Sequence, residues 1–400
     1  MNILSDRIKV LSESATLEMT RKGRELKALG HDVISLSIGE PDFNTPEIIK
    51  EAAISAINNN FTNYTPVSGI PELKQAISDK FKNENGIDFA PGQIVVSNGA
   101  KQSIGNALLC LINAGDEVLV PAPYWVSYPE MIKLAHGTVV EIPTTIEQDF
   151  KVTPEQIESA ITPNTKAIIF SSPCNPTGSV YSKDELEAIA RVIASHPNIF
   201  IISDEIYEYI NYGGKHESIA QFDFIKERVI AINGVSKGYS MTGWRIGYMA
   251  ASPVIAAACN KLQGQTTSCP SSISQMASLK AIQSLSHESD EITIMLKAFK
   301  ERKQLVIDKL AEIPGIEVNN PDGAFYVFPY VQHYIGLKHG EKKIKNDTDL
   351  CLYILEKAFV ATVPGSAFGS PGYIRISYAT SNENLIEALK RIKEALAELK

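Results

Sequence analysis

The sequence predicts an α/β protein: a mostly parallel sheet covered by helices, joined to a smaller α+β unit toward the C-terminus. Three observations carry that expectation. Between about residues 90 and 250, short apolar runs alternate with helical patterns. The segments just after those runs hold many of the side chains suited to chemistry, which is where ligands bind in such sheets. After about residue 290 the alternation gives way to a charged helical stretch, the segments 323–326 and 364–365, and a closing amphipathic helix rich in Glu, Lys and Leu.

In chain order, strands are expected at 94–96, 118–120, 167–170, 199–203 and 229–232. Each run is apolar, too short for a helix, and bounded by polar or glycine-containing turns. Helical patterns cover 102–111, after a glycine turn, and 183–194. The five runs deliver Ser97-Asn98-Gly99-Ala100-Lys101, Pro121-Ala122-Pro123-Tyr124-Trp125, Ser171-Ser172-Pro173-Cys174-Asn175-Pro176-Thr177-Gly178, Ser203-Asp204-Glu205-Ile206-Tyr207 and Asn233-Gly234-Val235-Ser236-Lys237. All five are expected to converge on one crevice. No internal repeat or long linker interrupts the chain, so its units are expected to pack together.

Composition narrows the function. With 400 residues, 44% hydrophobic and 21% charged, the chain is that of an ordinary globular protein of two or three units. A net charge of -8 leaves no basic excess for nucleic acid or anionic lipid, so neither is an expected partner. No apolar run reaches the roughly 18 residues that cross a bilayer, and the first ten residues lack the apolar core of a secretory signal. A cytoplasmic location is expected. Cys110, Cys174, Cys259, Cys269 and Cys351 show no C-x-x-C spacing, and the seven histidines make no H-x-x-x-H pair. Reduced thiols and no metal site are expected.

The run Gly234-Val235-Ser236-Lys237, continued by Ser240-Met241-Thr242-Gly243-Trp244-Arg245-Ile246-Gly247, sets a lysine at a strand end and an arginine eight residues on. It closely resembles the lysine signature of the class I aminotransferases, pyridoxal-phosphate enzymes of fold type I. The resemblance implies that Lys237 bonds the cofactor aldehyde and carries a proton during the reaction. It implies that Arg245 offers its planar fork to the cofactor phosphate. Asp204 matches the aspartate that pairs with the pyridine nitrogen, and Tyr207 and Asn175 match the residues that hydrogen-bond the phenolic oxygen. Alone, Asp204 reads better as a helix cap; beside Lys237 the cofactor reading prevails. The glycine turn before 102–111 puts backbone N–H groups where they suit an anion. By resemblance Gly99, Ala100 and Lys101 form the phosphate loop, Ser236 adds a contact, and Trp125 stacks on the pyridine face. Tyr64, in Asn63-Tyr64-Thr65-Pro66-Val67-Ser68-Gly69, resembles a tyrosine that reaches the phosphate of the neighbouring subunit, which implies a homodimer with shared active sites.

For substrate, the resemblance points to Arg375, in Tyr373-Ile374-Arg375-Ile376-Ser377, as the cation for the α-carboxylate. It places the backbone of Gly39, Trp125 and Asn175 at the same ligand. Cys174 falls at a variable position of its turn. The likeness runs from Ser14 to Arg391 and is nearest to the bacterial and plastid subgroup acting on aspartate. There the lysine matching Lys101 reaches a distal carboxylate, so dicarboxylic amino acids and 2-oxo acids are the expected substrates. Members that also use prephenate, an alternative kept beside aromatic amino acids, carry a base in a K-P-S-x-T run. The run Ser12-Glu13-Ser14-Ala15-Thr16 keeps Ser14 and Thr16 but lacks that base, which counts against prephenate. Thr16 is expected at the substrate, with Glu13 near enough to affect affinity. The resemblance further implies a large pyridoxal-phosphate-binding domain, 47–290, and a small domain with an N-terminal arm, 1–46 and 291–400. A β-lyase or decarboxylase would use the same cofactor. A cofactor-binding regulator would need an added basic domain, and a nicotinamide dehydrogenase a G-x-G-x-x-G after a strand; this sequence has neither.

Overall fold

The structure, a computed structural model, describes residues 3–400. Seven strands form its central sheet: β1 (Ile94–Ser97), β2 (Glu117–Ala122), β3 (Thr138–Pro143), β4 (Thr165–Ser171), β5 (Phe200–Asp204), β6 (Val229–Gly234) and β7 (Gly247–Ala250). Their order across the sheet is β1-β7-β6-β5-β4-β2-β3. Every pair is parallel except those of β7, which runs antiparallel to both β1 and β6.

Five of these strands contain or overlap the expected apolar runs. The other two, β3 and β7, were not expected, for different physical reasons. β3 is an edge strand whose residues are mostly half-buried or exposed, so it carries no continuous apolar run. β7 has four residues and opens with Gly247, where a Cβ would stand 2.1 Å from the backbone nitrogen of Ala100. That close approach requires glycine, and glycine masks the strand pattern.

Side chains along the buried strands alternate between two cores. Ile94, Val96, Leu119, Ile168, Phe170 and Ile201 enter one, and Val95, Val118, Val120, Ala167, Ile169 and Ile202 enter the other. Each fully buried isoleucine or valine contributes about 1.5–3 kcal/mol by leaving water. The helix Lys183–Ser195 shows how the covering layer is specified. Ser182 and Glu185 close its start reciprocally, and Leu186, Ile189, Ala190 and Ile193 form its buried stripe.

A further core joins the two ends of the chain: Met19 and Leu36 meet Phe299, Leu310, Tyr326, Ile354, Ile376 and Leu389. Ile34–Ser35 pairs in parallel with Val360–Ala361, and Ile374–Ser377 lies antiparallel between Val363–Pro364 and Tyr326–Val327. Among the described residues no helix is long and apolar enough to cross a membrane. All five cysteines are free thiols.

Candidate active site

A cavity of about 640 Å³ is walled on one side by the segments beyond the strand ends and on the other by the terminal segments. The first side supplies Ala100, Lys101, Trp125, Asn175, Asp204, Tyr207, Ser236, Lys237 and Arg245; the second supplies Thr16, Gly39 and Arg375. Two of the expected residues are not in the wall. Gly99 stands behind Arg245, and Tyr64 is 93% exposed. Glu13, expected near the substrate, is also outside the wall; the carboxylate at the cavity rim is that of Glu40. Ser14 and Thr16 of the same run do reach the wall, while the backbone N–H of Ser12, just ahead of Glu13, donates to Glu130 at 2.7 Å.

Lys237 follows β6 and donates from Nζ to the carbonyl of Gly39 at 2.5 Å. Burial lowers its ammonium pKa to about 8; Glu40 and Asp204 work against that fall, Arg245 and Arg375 with it. Asp204 ends β5. Burial pushes its carboxyl up to about 6, although the phenol of Tyr128 donates to Oδ2 at 2.7 Å and the N–H of Ile206 to Oδ1 at 3.3 Å. Both groups thus titrate nearer neutrality than their ordinary values, as acid–base chemistry near pH 7 requires.

Lys101 opens the helix Ala100–Leu111, whose N-cap Gly99 has φ +85° and which no side chain caps. Its ammonium stands 5.1 Å from the ring of Trp125, with its pKa lowered by burial and by Arg245. Arg245, itself left-handed at φ +56°, donates to the carbonyls of Thr242 at 2.9 Å and Asn98 at 3.3 Å. A helix start with free N–H groups beside two cations is an anion site.

Across the cavity, Arg375 is 2% exposed and fixed by donation to Asn175 Oδ1 at 3.0 Å and the carbonyl of Ser37 at 2.6 Å. Its guanidinium lies 4.5 Å from the ring centre of Tyr326, whose hydroxyl is 2.8 Å from that of Tyr207. Tyr128, Ser171 and Tyr326 were missed by sequence reasoning. Tyr128 offered a faint signal, since it lies three residues beyond Trp125, just past that strand-end run. Tyr326 offered none, because the chain returns to the cavity there from another core.

Three buried polar atoms of the cavity residues lack partners: Ser171 Oγ, Thr16 Oγ1 and Arg375 Nε. Buried polar groups are rarely left unpaired, so these await a ligand. What fits has an anion for the Lys101–Arg245 end, an aldehyde for a partly neutral amine, and a ring nitrogen able to carry charge near Asp204. Pyridoxal phosphate has all three. The strand-end site on a mostly parallel sheet therefore defines an enzyme of the fold type I pyridoxal-phosphate class.

Within that class the chain belongs to the aminotransferases of class I and II, a family whose description matches residues 31–392. It is similar to the aspartate/prephenate aminotransferase of Nitrosomonas europaea, 47% identical over 398 residues, 98% of this chain and 100% of that one. The aspartate aminotransferase of Bacillus subtilis is 47% identical over 98% of each chain. Among solved structures, the aspartate aminotransferase of Rhizobium meliloti superposes with a TM-score of 0.95 at 42% identity, covering 99% of both chains. The protein is a pyridoxal-phosphate-dependent aminotransferase acting on amino acids and 2-oxo acids.

Proposed function

We propose that this chain transfers the amino group of L-aspartate to 2-oxoglutarate in a ping-pong reaction, giving oxaloacetate and L-glutamate. The observation that carries this reading is the pair Arg375 and Lys101, two cations in one cavity with no carboxylate within 4 Å of either among the described residues. Arg375 presents a fixed fork for the α-carboxylate, and Lys101 meets the second carboxylate. Relatives at 47–48% identity named aspartate aminotransferases support it.

Bound here, pyridoxal phosphate supplies an aldehyde that takes up the amino nitrogen and a ring that accepts the electron pair left at the substrate α-carbon. Gly99, Ala100 and the backbone of Lys101, with Ser236 and Arg245, would hold its phosphate, Trp125 its ring face, and Asn175 and Tyr207 its phenolic oxygen. Asp204 would hold a positive charge at the ring nitrogen, since a buried carboxylate gains most from a buried cation. Lys237, neutral above about pH 8, takes the proton from the substrate α-carbon. Gly39 positions that amine through its carbonyl.

We also propose that two subunits share their sites, Tyr64 reaching the partner's phosphate; its 93% exposure leaves the phenol free for such a contact. The free thiols fit a reducing cytoplasm. Cores built mostly from 47–290 on one side and mostly from 1–46 and 291–400 on the other support a large domain of 47–290 packed against the two chain ends. Prephenate is a second reading, favoured by relatives named for both activities.

The test mixes holoenzyme with single amino acids under single-turnover conditions and follows the cofactor chromophore. Aspartate and glutamate should convert it fastest, with oxaloacetate released from aspartate. Release of pyruvate and sulfide from cysteine in place of amino transfer would sink the reading. Sedimentation should show a dimer, and a monomer of full activity would exclude shared sites.

A further inference from the structure

Resting on the reading of the cavity as a dicarboxylate site, we propose that Arg24 forms a second subsite for a distal carboxylate. It selects amino and 2-oxo acids whose second carboxylate stands further from the α-carbon than in aspartate.

Thr16, Thr20 and Arg24 lie four residues apart on the helix Ala15–Ala28, so they share one face, and all three line the cavity. That face ends in a cation without a partner. Arg21 pairs with Glu25 at 2.5 Å and Lys22 lies 3.6 Å from Glu18, whereas Arg24 has no carboxylate within 4 Å among the described residues.

The other cations of the cavity are engaged. Arg245 is tied to Thr242 and Asn98, Arg375 to Asn175 and Ser37, Lys237 to Gly39, and Lys101 lies against Trp125. Arg24 is a fifth cation, exposed as Lys101 and Arg245 are, but unlike them it makes no hydrogen bond or ring contact among the described residues. Leu17, 70% exposed, and Ile38, 39% exposed, line the cavity with it. Those side chains offer apolar cover for the extra methylenes of a longer acid, and Arg24 offers the charge at its end. Thr16 Oγ1, on the same helix face, is buried without a partner and adds a hydroxyl to the subsite. Glu40, also in the wall, disfavours a carboxylate placed beside it, which leaves the helix face as the landing point.

The test measures binding of unreactive dicarboxylates to the holoenzyme by titration calorimetry: succinate, with the carbon skeleton of aspartate, and adipate, two methylenes longer. Arg24→Gln should weaken adipate about five-fold, the upper scale of a solvent-exposed ion pair, and leave succinate unchanged. Arg24→Lys should restore most of the loss. Equal weakening of both acids, no weakening of either, or failure of the wild type to bind adipate overturns the proposal. Lys101→Met separates this inference from the reading beneath it. If succinate binding is indifferent to that change, the Lys101 dicarboxylate reading fails, while a loss confined to adipate in Arg24→Gln still stands.

Discussion

The phenol of Tyr128 donates to Oδ2 of Asp204 over 2.7 Å where both groups are buried, and the neighbouring Trp125 packs edge-on against the same phenol at 5.5 Å. A hydrogen bond to a charged acceptor favours the ionised form, so Tyr128 limits the rise that burial imposes on Asp204. Tyr128→Phe removes the donor without changing the ring. The acid limb of cofactor affinity in the apo-protein should then move up by about one pH unit, and an unmoved limb would show that Tyr128 only fills space.

The same carboxylate makes function costly to stability. Its native pKa of about 6 lies above its ordinary 3.8. Between those values the native state binds a proton that the unfolded chain has released, so stability from this group falls as pH rises through the window. Asp204→Asn should therefore stabilise the cofactor-free protein at pH 7 by about 2 kcal/mol while weakening cofactor binding. Chemical denaturation of the apo-protein at pH 4 and pH 7 checks it: the gain should appear only at the higher pH.

Lys237 titrates in the opposite sense. Its native value of about 8 lies below the ordinary 10.5, so the neutral amine is favoured in the fold, and stability from this group rises between those two pH values. The rate at which apo-protein captures pyridoxal phosphate should climb with pH and level off above about 8. Glu40 supports the charged form, so Glu40→Gln should shift that midpoint downward. A midpoint that stays fixed would mean Glu40 is not felt at the amine.

The part of this site legible in the sequence was the part carried by strand ends. Asp204, Lys237 and Asn175 each follow a short apolar run, and such runs announce both the strand and the place beyond it. Tyr326, Arg24 and Thr20 follow no such run. They reach the cavity because one core gathers Met19, Leu36 and the C-terminal elements, a relation set by long-range packing that no local pattern encodes. The sheet shows the same division: β5 opens on an apolar run and is buried from its second residue on, while β3 is half-wet and β7 begins with a glycine needed for close approach.

Glu208, one residue beyond Tyr207, accepts from Lys80 Nζ, from Asn85 at 2.6 Å and from Asn233 at 2.6 Å, all buried. Burial alone would raise its carboxyl, but Lys80, His287 and His216 hold it well below the ordinary range. Asn233 also accepts from the N–H of Gly234, so this network anchors the turn that leads to Lys237. Glu208→Gln leaves the Lys80 ammonium buried without a counter-charge and should cost about 3–5 kcal/mol. Thermal unfolding near pH 7 measures it. Because the native pKa is depressed, the wild-type advantage should shrink as pH falls below the ordinary carboxylate value. An advantage that persists at low pH would argue against the ion pair as its source.

Gly99 sets the distance between the phosphate loop and Arg245. Its φ of +85° is positive, and an added Cβ would fall 2.2 Å from Arg245 Nη2. Two costs follow, and they land on different properties. Alanine at this extended positive-φ backbone, with ψ 158° and open essentially only to glycine, costs about 1–3 kcal/mol of stability. The clash is with the end of a long, exposed side chain, so Arg245 yields instead of the backbone, and the phosphate loses its guanidinium. Gly99→Ala should thus weaken pyridoxal phosphate about ten-fold, as expected for losing a charge-assisted hydrogen bond. Pyridoxal, which has no phosphate, should bind the variant and the wild type alike. Equal loss for both compounds would show that the substitution disturbs the ring site or the helix start, and that Arg245 does not hold the phosphate.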